Sequence, residues 1–215
     1  MKHERQSSPA DHLIGQIDQG LRTLFGKPDT TERSNPARDV PETALSDSER
    51  ELAARLMRIN HAGEVAAQAL YQGQALTARN SDVKKQMERS AKEENDHLDW
   101  CETRIRELGG HTSLLNPLWY TGSLAIGAMA GLAGDKWSLG FVVETEKQVE
   151  AHLEEHQAQI DQQDQKTHAI LQQMKEDEIH HAATASHAGG AELPPPVKAW
   201  MKLTSKIMTK STYWV

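Results

Sequence analysis

Six residues of this 215-residue chain have the types and spacings of metal ligands: Glu64, Glu94, His97, Glu146, Glu178 and His181. Two pairs, Glu94 with His97 and Glu178 with His181, read Glu-x-x-His. Residues three apart on a helix are neighbours, so each pair presents a carboxylate and an imidazole on one face. Glu64 and Glu146 stand alone. Two divalent cations would cancel the charge of the four carboxylates, and the histidines add one nitrogen ligand per ion. Oxygen-rich ligands with one imidazole per ion suit iron or manganese better than a thiolate-rich site would. The single cysteine, Cys101, excludes a multi-cysteine zinc or iron–sulfur site and an intramolecular disulfide framework.

These residues need elements that bring them together. From residue 47 the chain reads as four long helices, at about 47–78, 82–108, 136–163 and 167–187. Ser46 or Asp47 offers an N-cap, and Glu49 stands where a capping box needs it. Asn80-Ser81 and Gly109-Gly110 break the first three segments. No segment alternates with period two, so no strands are expected. Steps of three and four trace a core stripe on each helix. The first gives Ala53, Met57, Asn60, Glu64, Ala67 and Tyr71; the second Val83, Met87, Ser90, Glu94, His97 and Cys101. The third gives Val142, Glu146, Val149, Leu153, His156 and Ile160; the fourth Leu171, Met174, Glu178, His181 and Ala185. Every stripe is interrupted by a glutamate near its middle. A carboxylate on a buried face is costly unless it is paired or bound to a cation, and four repeats of the same interruption point to a shared cause. One Glu from each of two helices and Glu-x-x-His from each of two others is the ligand pattern of di-iron and di-manganese carboxylate bundles. Glu94 follows Glu64 by 30 residues and Glu178 follows Glu146 by 32, which suggests two related hairpins.

Neighbouring acids and histidines sort by helical phase. Glu93 lies about 100° off its stripe and Glu144 about 200° from Glu146. Glu150, four residues after Glu146, is the rival ligand. His61 lies close to the face of Glu64, either orienting a carboxylate or serving structure alone. His152 and His180 flank their stripes, His152 as a candidate to orient a ligand. His156 is about 15 Å beyond Glu146 along the axis, too far for the same centre.

The rest of the chain divides simply. Residues 1–46 hold four of the eight prolines and read as a poorly ordered arm. Within it Leu13, Ile14, Ile17, Leu21, Leu24 and Phe25 keep helical spacing, as in a helix that docks on the main domain, and Gly26 is a stop. No apolar run follows Met1-Lys2-His3-Glu4-Arg5, so no secretory signal and a reducing compartment are expected. The main domain covers 47–190 and includes an apolar insert at 114–134. Leu118 to Gly134 is 17 residues without charge, the lower limit for a membrane span. It reads either as a buried crossover helix or as a helix that dips into a membrane interface or lines an apolar channel. Trp119, Tyr120 and Trp137 flank it as interfacial aromatics would. After Pro194-Pro195-Pro196, the segment 191–215 carries Lys198, Lys202, Lys206 and Lys210 among Trp200, Met201, Leu203, Ile207 and Met208. A basic helix with interleaved apolar residues reads as a membrane-surface or partner-binding element, or as a docking helix. The net charge of −7 argues against nucleic-acid binding. Gly122, Gly127, Gly131 and Gly134 follow no strand and lack the spacing of a dinucleotide fingerprint.

With these residues assembled, the chain resembles the demethoxyubiquinone hydroxylase family, the di-iron monooxygenases of ubiquinone biosynthesis. The resemblance rests on Arg58-Ile-Asn-His-Ala-Gly-Glu64, Glu94-Asn-Asp-His97, Val143-Glu-Thr-Glu146 with His152 beyond it, and Glu178-Ile-His-His181. It runs from about 47 to 187 and extends to Leu203-Thr-Ser-Lys-Ile-Met208. It implies an all-α, ferritin-like four-helix bundle with an apolar crossover segment and an amphipathic C-terminal helix. It implies that Glu64, Glu94, His97, Glu146, Glu178 and His181 bind two ferrous ions per chain, with Glu94 and Glu178 bridging, and no catalytic residue beyond the metal centre. It also implies the reaction: O2 hydroxylates the ring of a polyprenylated demethoxyubiquinol, one oxygen going to the ring and one to water. The expected partners are that quinol, O2, the membrane surface and other ubiquinone-biosynthesis proteins. The expected location is peripheral, on the cytoplasmic face of the cell membrane. One departure is Leu153, where the family pattern has a Tyr after the histidine matching His152.

Two other readings compete. One is a different di-metal bundle, such as a ferroxidase, an iron-storage subunit or a manganese catalase; the apolar insert and the basic tail count against it. The other is a non-enzymatic, membrane-associated lipid-binding scaffold, which predicts no metal and no dependence on Glu94 or Glu178.

Overall fold

A computed structural model describes residues 9–215, apart from the side chains at positions 9, 10, 12 and 13. Residues 1–8 of the expected arm, and the side chain at position 13 of its apolar patch, lie outside what is described. The described chain forms α1 (Pro9–Phe25), α2 (Asp47–Thr77), α3 (Ser81–Glu107), α4 (Asn116–Leu132), α5 (Asp135–Gln159), α6 (Gln165–His187) and α7 (Pro195–Thr212). Among these residues there is no strand, and no helix is long and apolar enough to cross a membrane.

The helix ends follow from local chemistry. Ser46 and Glu49 form the capping box of α2, each bonded to the other's backbone N–H. Asn80 accepts from the Asp82 and Val83 amides to start α3. Gly109, at φ 76°, turns the chain away from α3. The third long helix ends at Gln159 rather than near 163. Asp161 caps a turn there through the Gln163 amide, and Asp164 then caps α6 through the Thr167 amide. Short polar side chains at this junction satisfy backbone groups that a longer helix would have claimed.

Helices α2 and α3 form one hairpin, α5 and α6 a second, and α4 crosses between them along α2. This is the ferritin-like bundle with a crossover. The expected stripes are the interior: all their residues are buried except the partly exposed Val149. Two apolar clusters close the ends. Met57, Cys101, Ile105, Leu153, Leu171 and Met174 belong to one, and Tyr71, Val83, Met87, Leu139, Val142 and Ala185 to the other. The polar residues at mid-stripe fall between them.

The glycines of the insert serve close packing. A Cβ on Gly127 would lie 2.1 Å from the Leu70 carbonyl oxygen, and one on Gly73 would lie 2.3 Å from that of Leu124. Backbone meets backbone, so no side-chain rotation relieves the clash. Gly127→Ala is expected to destabilise the protein by about 1–3 kcal/mol, as overpacking does, read as a lower urea midpoint. An unchanged midpoint would contradict the contact.

Two features of the N-terminal arm depart from expectation. α1 docks through Gln16, Gly20, Thr23 and Leu24, while Ile14, Ile17, Leu21 and Phe25 stay exposed. Docking is set by the Tyr120 ring against Gly20 and by Gln72 donating to Gln16, and of the described apolar side chains of the stripe Leu24 alone joins it. The segment between α1 and α2 is also fastened to the bundle. Thr31 and Arg33 bond Asp96, Ala37 is buried, and Glu42 pairs with the buried Arg104.

Candidate metal centre

Each hairpin contributes one solitary glutamate and one Glu-x-x-His pair at the same level of the bundle. Ligand atoms of Glu64, Glu94, His97 and Glu178 lie within 4.8 Å of one another, and so do those of Glu94, Glu146, Glu178 and His181. The structure thus brings all six expected residues together, with Glu94 and Glu178 common to both groups. Their oxygens divide accordingly. His97 Nδ1 lies 3.2 Å from Glu94 Oε2, 3.3 Å from Glu178 Oε1 and 3.5 Å from Glu64 Oε2. His181 Nδ1 lies 3.3 Å from Glu94 Oε1 and 3.5 Å from Glu178 Oε2. All six residues are buried. Among the described residues, Glu94 Oε1, Glu146 Oε2, both Glu178 oxygens and His181 Nδ1 have no hydrogen-bond partner. Buried polar atoms without partners are rare; here they converge on one volume, and such a donor set can hold metal.

The outward nitrogens of the histidines are fixed by acids from the opposite hairpin. His97 Nε2 lies 2.8 Å from Asp177 Oδ2 on α6, and His181 Nε2 lies 2.7 Å from Glu93 Oε2 on α3. A carboxylate on Nε2 places the proton there and leaves Nδ1 as an inward electron-pair donor. Tyr71 donates to Glu146 Oε1 in the same way.

Proton affinities reflect this crowding. Burial pushes the Glu64 and Glu146 carboxyls well above the usual range, and neighbouring carboxylates add to it. Burial opposes a charged His97, but the close carboxylates of Asp177, Glu178, Glu64 and Glu94 outweigh it and raise its pKa well. His181 is raised likewise, against burial, by Glu178, Glu93 and Glu94. Glu94 is lowered, since His181 and His97 overcome its burial. Asp177, despite burial, is held down to about 2 by His97 and Arg33. Without a cation, the site compensates its carboxylates with protons.

The remaining candidates separate clearly. Glu150 is half-buried and outside both ligand groups. Glu144 faces Gln148 and Lys198. His156 bonds Asn60 Oδ1 at 2.7 Å. His61 meets Asn116 at 3.4 Å, tying α2 to the start of α4; burial lowers its pKa to about 4, so it is a neutral structural group. The His152 ring packs tilted by 57° against that of His156, with centroids 4.0 Å apart, and makes no hydrogen bond to the six. His180 is exposed. Leu153 is core.

Phase reasoning missed the acids behind the histidines. The available signal was a repeat: both Glu-x-x-His pairs are preceded by an acid, Glu93-Glu94 and Asp177-Glu178. An acid 100° off the stripe of its own helix is well placed to meet the neighbouring helix.

An apolar cavity of about 360 Å³ reaches the cluster at Glu64, between α2, α4, α5 and α7. Leu118 and Trp200, 60% and 44% exposed, line it as well, so its mouth lies between α4 and α7. A larger groove between α1, α2 and α3, with many charged residues along it, touches none of the six residues.

The family "Ubiquinone biosynthesis protein COQ7" matches residues 51–212. A 3-demethoxyubiquinol 3-hydroxylase of Nitrosococcus oceani is 59% identical over 211 residues, covering 98% of this chain and 99% of that protein. Proteins of the same name from Legionella pneumophila (strain Corby) and Nitrosomonas eutropha are each 56% identical. They cover 98% and 95% of this chain, and 100% and 98% of their own lengths. All six clustered residues fall inside the matched span, and the similarity runs along nearly the whole length: the chain belongs to the COQ7 family of ubiquinone biosynthesis proteins.

Proposed function

We propose that this protein is a di-iron monooxygenase that hydroxylates the ring of a polyprenylated demethoxyubiquinol with O2. The observation that carries the reading is the apolar cavity joining the Glu64 side of the buried carboxylate–histidine cluster to a mouth between α4 and α7. Glu64, Glu94, His97 and Glu178 would hold one iron and Glu94, Glu146, Glu178 and His181 the other, with Glu94 and Glu178 common to both. Ferrous ions bound there would supply the two-electron chemistry toward O2 that no side chain provides. The chain's own residues do the rest. Asp177 and Glu93 hold the imidazoles with Nδ1 inward. Tyr71 orients Glu146. Ile59, Ala67, Leu70 and Val149 keep water from the substrate ring, which lies near Glu64 while its prenyl tail leaves past Leu118 and Trp200.

The same reading places the protein peripherally on the cytoplasmic face of the cell membrane, where such a tail resides. Lys202, Lys206 and Lys210 are exposed on α7 beside the exposed Trp200, Leu203 and Ile207. This is the pattern of a helix lying in a membrane interface. Replacing the three lysines with glutamate is expected to weaken binding to anionic vesicles by roughly 100-fold or more, from about 1 kcal/mol per basic residue, measured by flotation. Unchanged flotation would remove α7 as the contact.

The decisive experiment combines anaerobic ferrous reconstitution with turnover under labelled O2. About two irons per chain and one labelled oxygen in the quinol product are expected. Iron uptake with mineral formation and no quinol product would favour a ferroxidase or iron-storage role. No bound metal in folded protein would leave the lipid-binding scaffold.

A further inference from the structure

Behind His97 lies a contact made from outside the bundle. The segment 29–33, between α1 and α2, crosses the bundle over α3 and α6. Asn95 Nδ2 donates to the Asp29 carbonyl at 3.1 Å. The Thr31 amide and hydroxyl donate to the two oxygens of Asp96 at 2.7 and 2.6 Å. Arg33 then forks: Nε donates to Asp96 Oδ2 and Nη1 to Asp177 Oδ2, both at 2.7 Å. Its guanidinium lies 5.2 Å from the centroid of the Trp100 ring. Asp177 Oδ2 is the oxygen that faces His97 Nε2.

The counterpart behind His181 is built differently. Glu93 is met by Arg89 of the same helix, one turn away, with the Arg89 side chain 58% exposed. Exposed pairs at this spacing contribute little. The Arg33 side chain is 31% exposed and spans two carboxylates from different helices, one of them fully buried. The planar fork of an arginine fixes such an arrangement, and a lysine ammonium cannot reproduce it. The two histidines therefore have unequal outer support, and the stronger comes from a residue that precedes the matched family span.

We propose that Arg33 is a positioning residue of the metal centre: by holding Asp177 in line with His97, it sets the affinity and geometry of the metal position that His97 serves. The position served by His181 is independent of it. This inference rests on the metal-centre reading above.

The test uses full-length protein stripped of metal and titrated with cobalt(II), followed by visible absorption and equilibrium dialysis. Wild type, R33Q, R33K, D177N and the R33Q/D177N double variant are compared. Wild type is expected to take two equivalents. R33Q is expected to bind one of them about tenfold more weakly or worse, the usual effect of removing an outer-shell partner, with a changed absorption band. R33K recovers part of the loss. The double variant binds no more weakly than D177N, because residues acting in one chain are not additive. Wild-type binding of both equivalents by R33Q overturns the proposal. So do losses that multiply in the double variant, or equal weakening of both equivalents with a lower metal-free melting temperature, which marks a merely structural role. Failure of wild type itself to bind cobalt overturns the underlying metal-centre reading, and the proposal with it. R33K keeps the test open if R33Q does not fold.

Discussion

Replacing Glu178 with alanine is expected to remove both metal ions and to lower quinol hydroxylation by about 1,000-fold or more, since metal-ion catalysis contributes several kcal/mol to such barriers. Glu178 faces both histidines, with Oε1 3.3 Å from His97 Nδ1 and Oε2 3.5 Å from His181 Nδ1. Its loss therefore opens both metal positions at once. Glu64 and Glu146 each belong to one ligand group only, so Glu64→Ala or Glu146→Ala is expected to retain about one metal per chain. Glu150→Gln is the internal control and keeps both, because Glu150 lies outside both groups. Metal analysis after anaerobic reconstitution, beside circular dichroism to confirm folding, reads all four variants. Full metal content in Glu178→Ala would refute the shared role.

The second large effect is on stability. In the metal-free fold Glu64, Glu146, His97 and His181 all hold protons more tightly than in the unfolded chain. Groups whose pKa is raised on folding contribute fully below their unfolded values, 4.5 for Glu and 6.5 for His. That contribution disappears as pH rises through the raised folded values. Glu94 has the opposite sign, and its contribution is lost only as pH falls below the ordinary carboxylate range. Between pH 6 and 8 the raised groups decide the outcome. Metal-free protein is expected to lose stability over that interval, at about 1.4 kcal/mol per pH unit for each proton that the fold retains and the unfolded chain has released. For a chain of this size each kcal/mol lost corresponds to about 2–4 °C in melting temperature. Cations replace the protons in the loaded protein, so its melting temperature should stay nearly flat over the same range and exceed the metal-free value most at pH 8. Parallel pH profiles with and without metal would contradict the buried cluster.

Both expectations rest on residues legible in the amino-acid sequence. A glutamate at the middle of each of four apolar stripes signals a buried charge, and helical period alone aligns Glu94 with His97 and Glu178 with His181. The bundle, its hairpin symmetry and the six clustered residues follow from that local periodicity, because a helix repeats every 3.6 residues whatever packs against it. The ends of α2 and α3 were likewise written in Ser46, Glu49 and Asn80. Contacts between elements were decided only by the tertiary structure. Glu93 and Asp177 lie off their own stripes, and their roles exist only where α3 meets α6. Thr31 and Arg33 sit in a segment with no periodicity, and they gain meaning from Asp96 and Asp177, which are 63 to 144 residues away. The apolar stripe of α1 marks a face without saying what covers it, and Gly20 and Thr23 dock beside Leu24, the one described side chain of that stripe that packs inward. Period and capping are properties of neighbouring residues, whereas a side chain's partner across the bundle depends on how helices are placed.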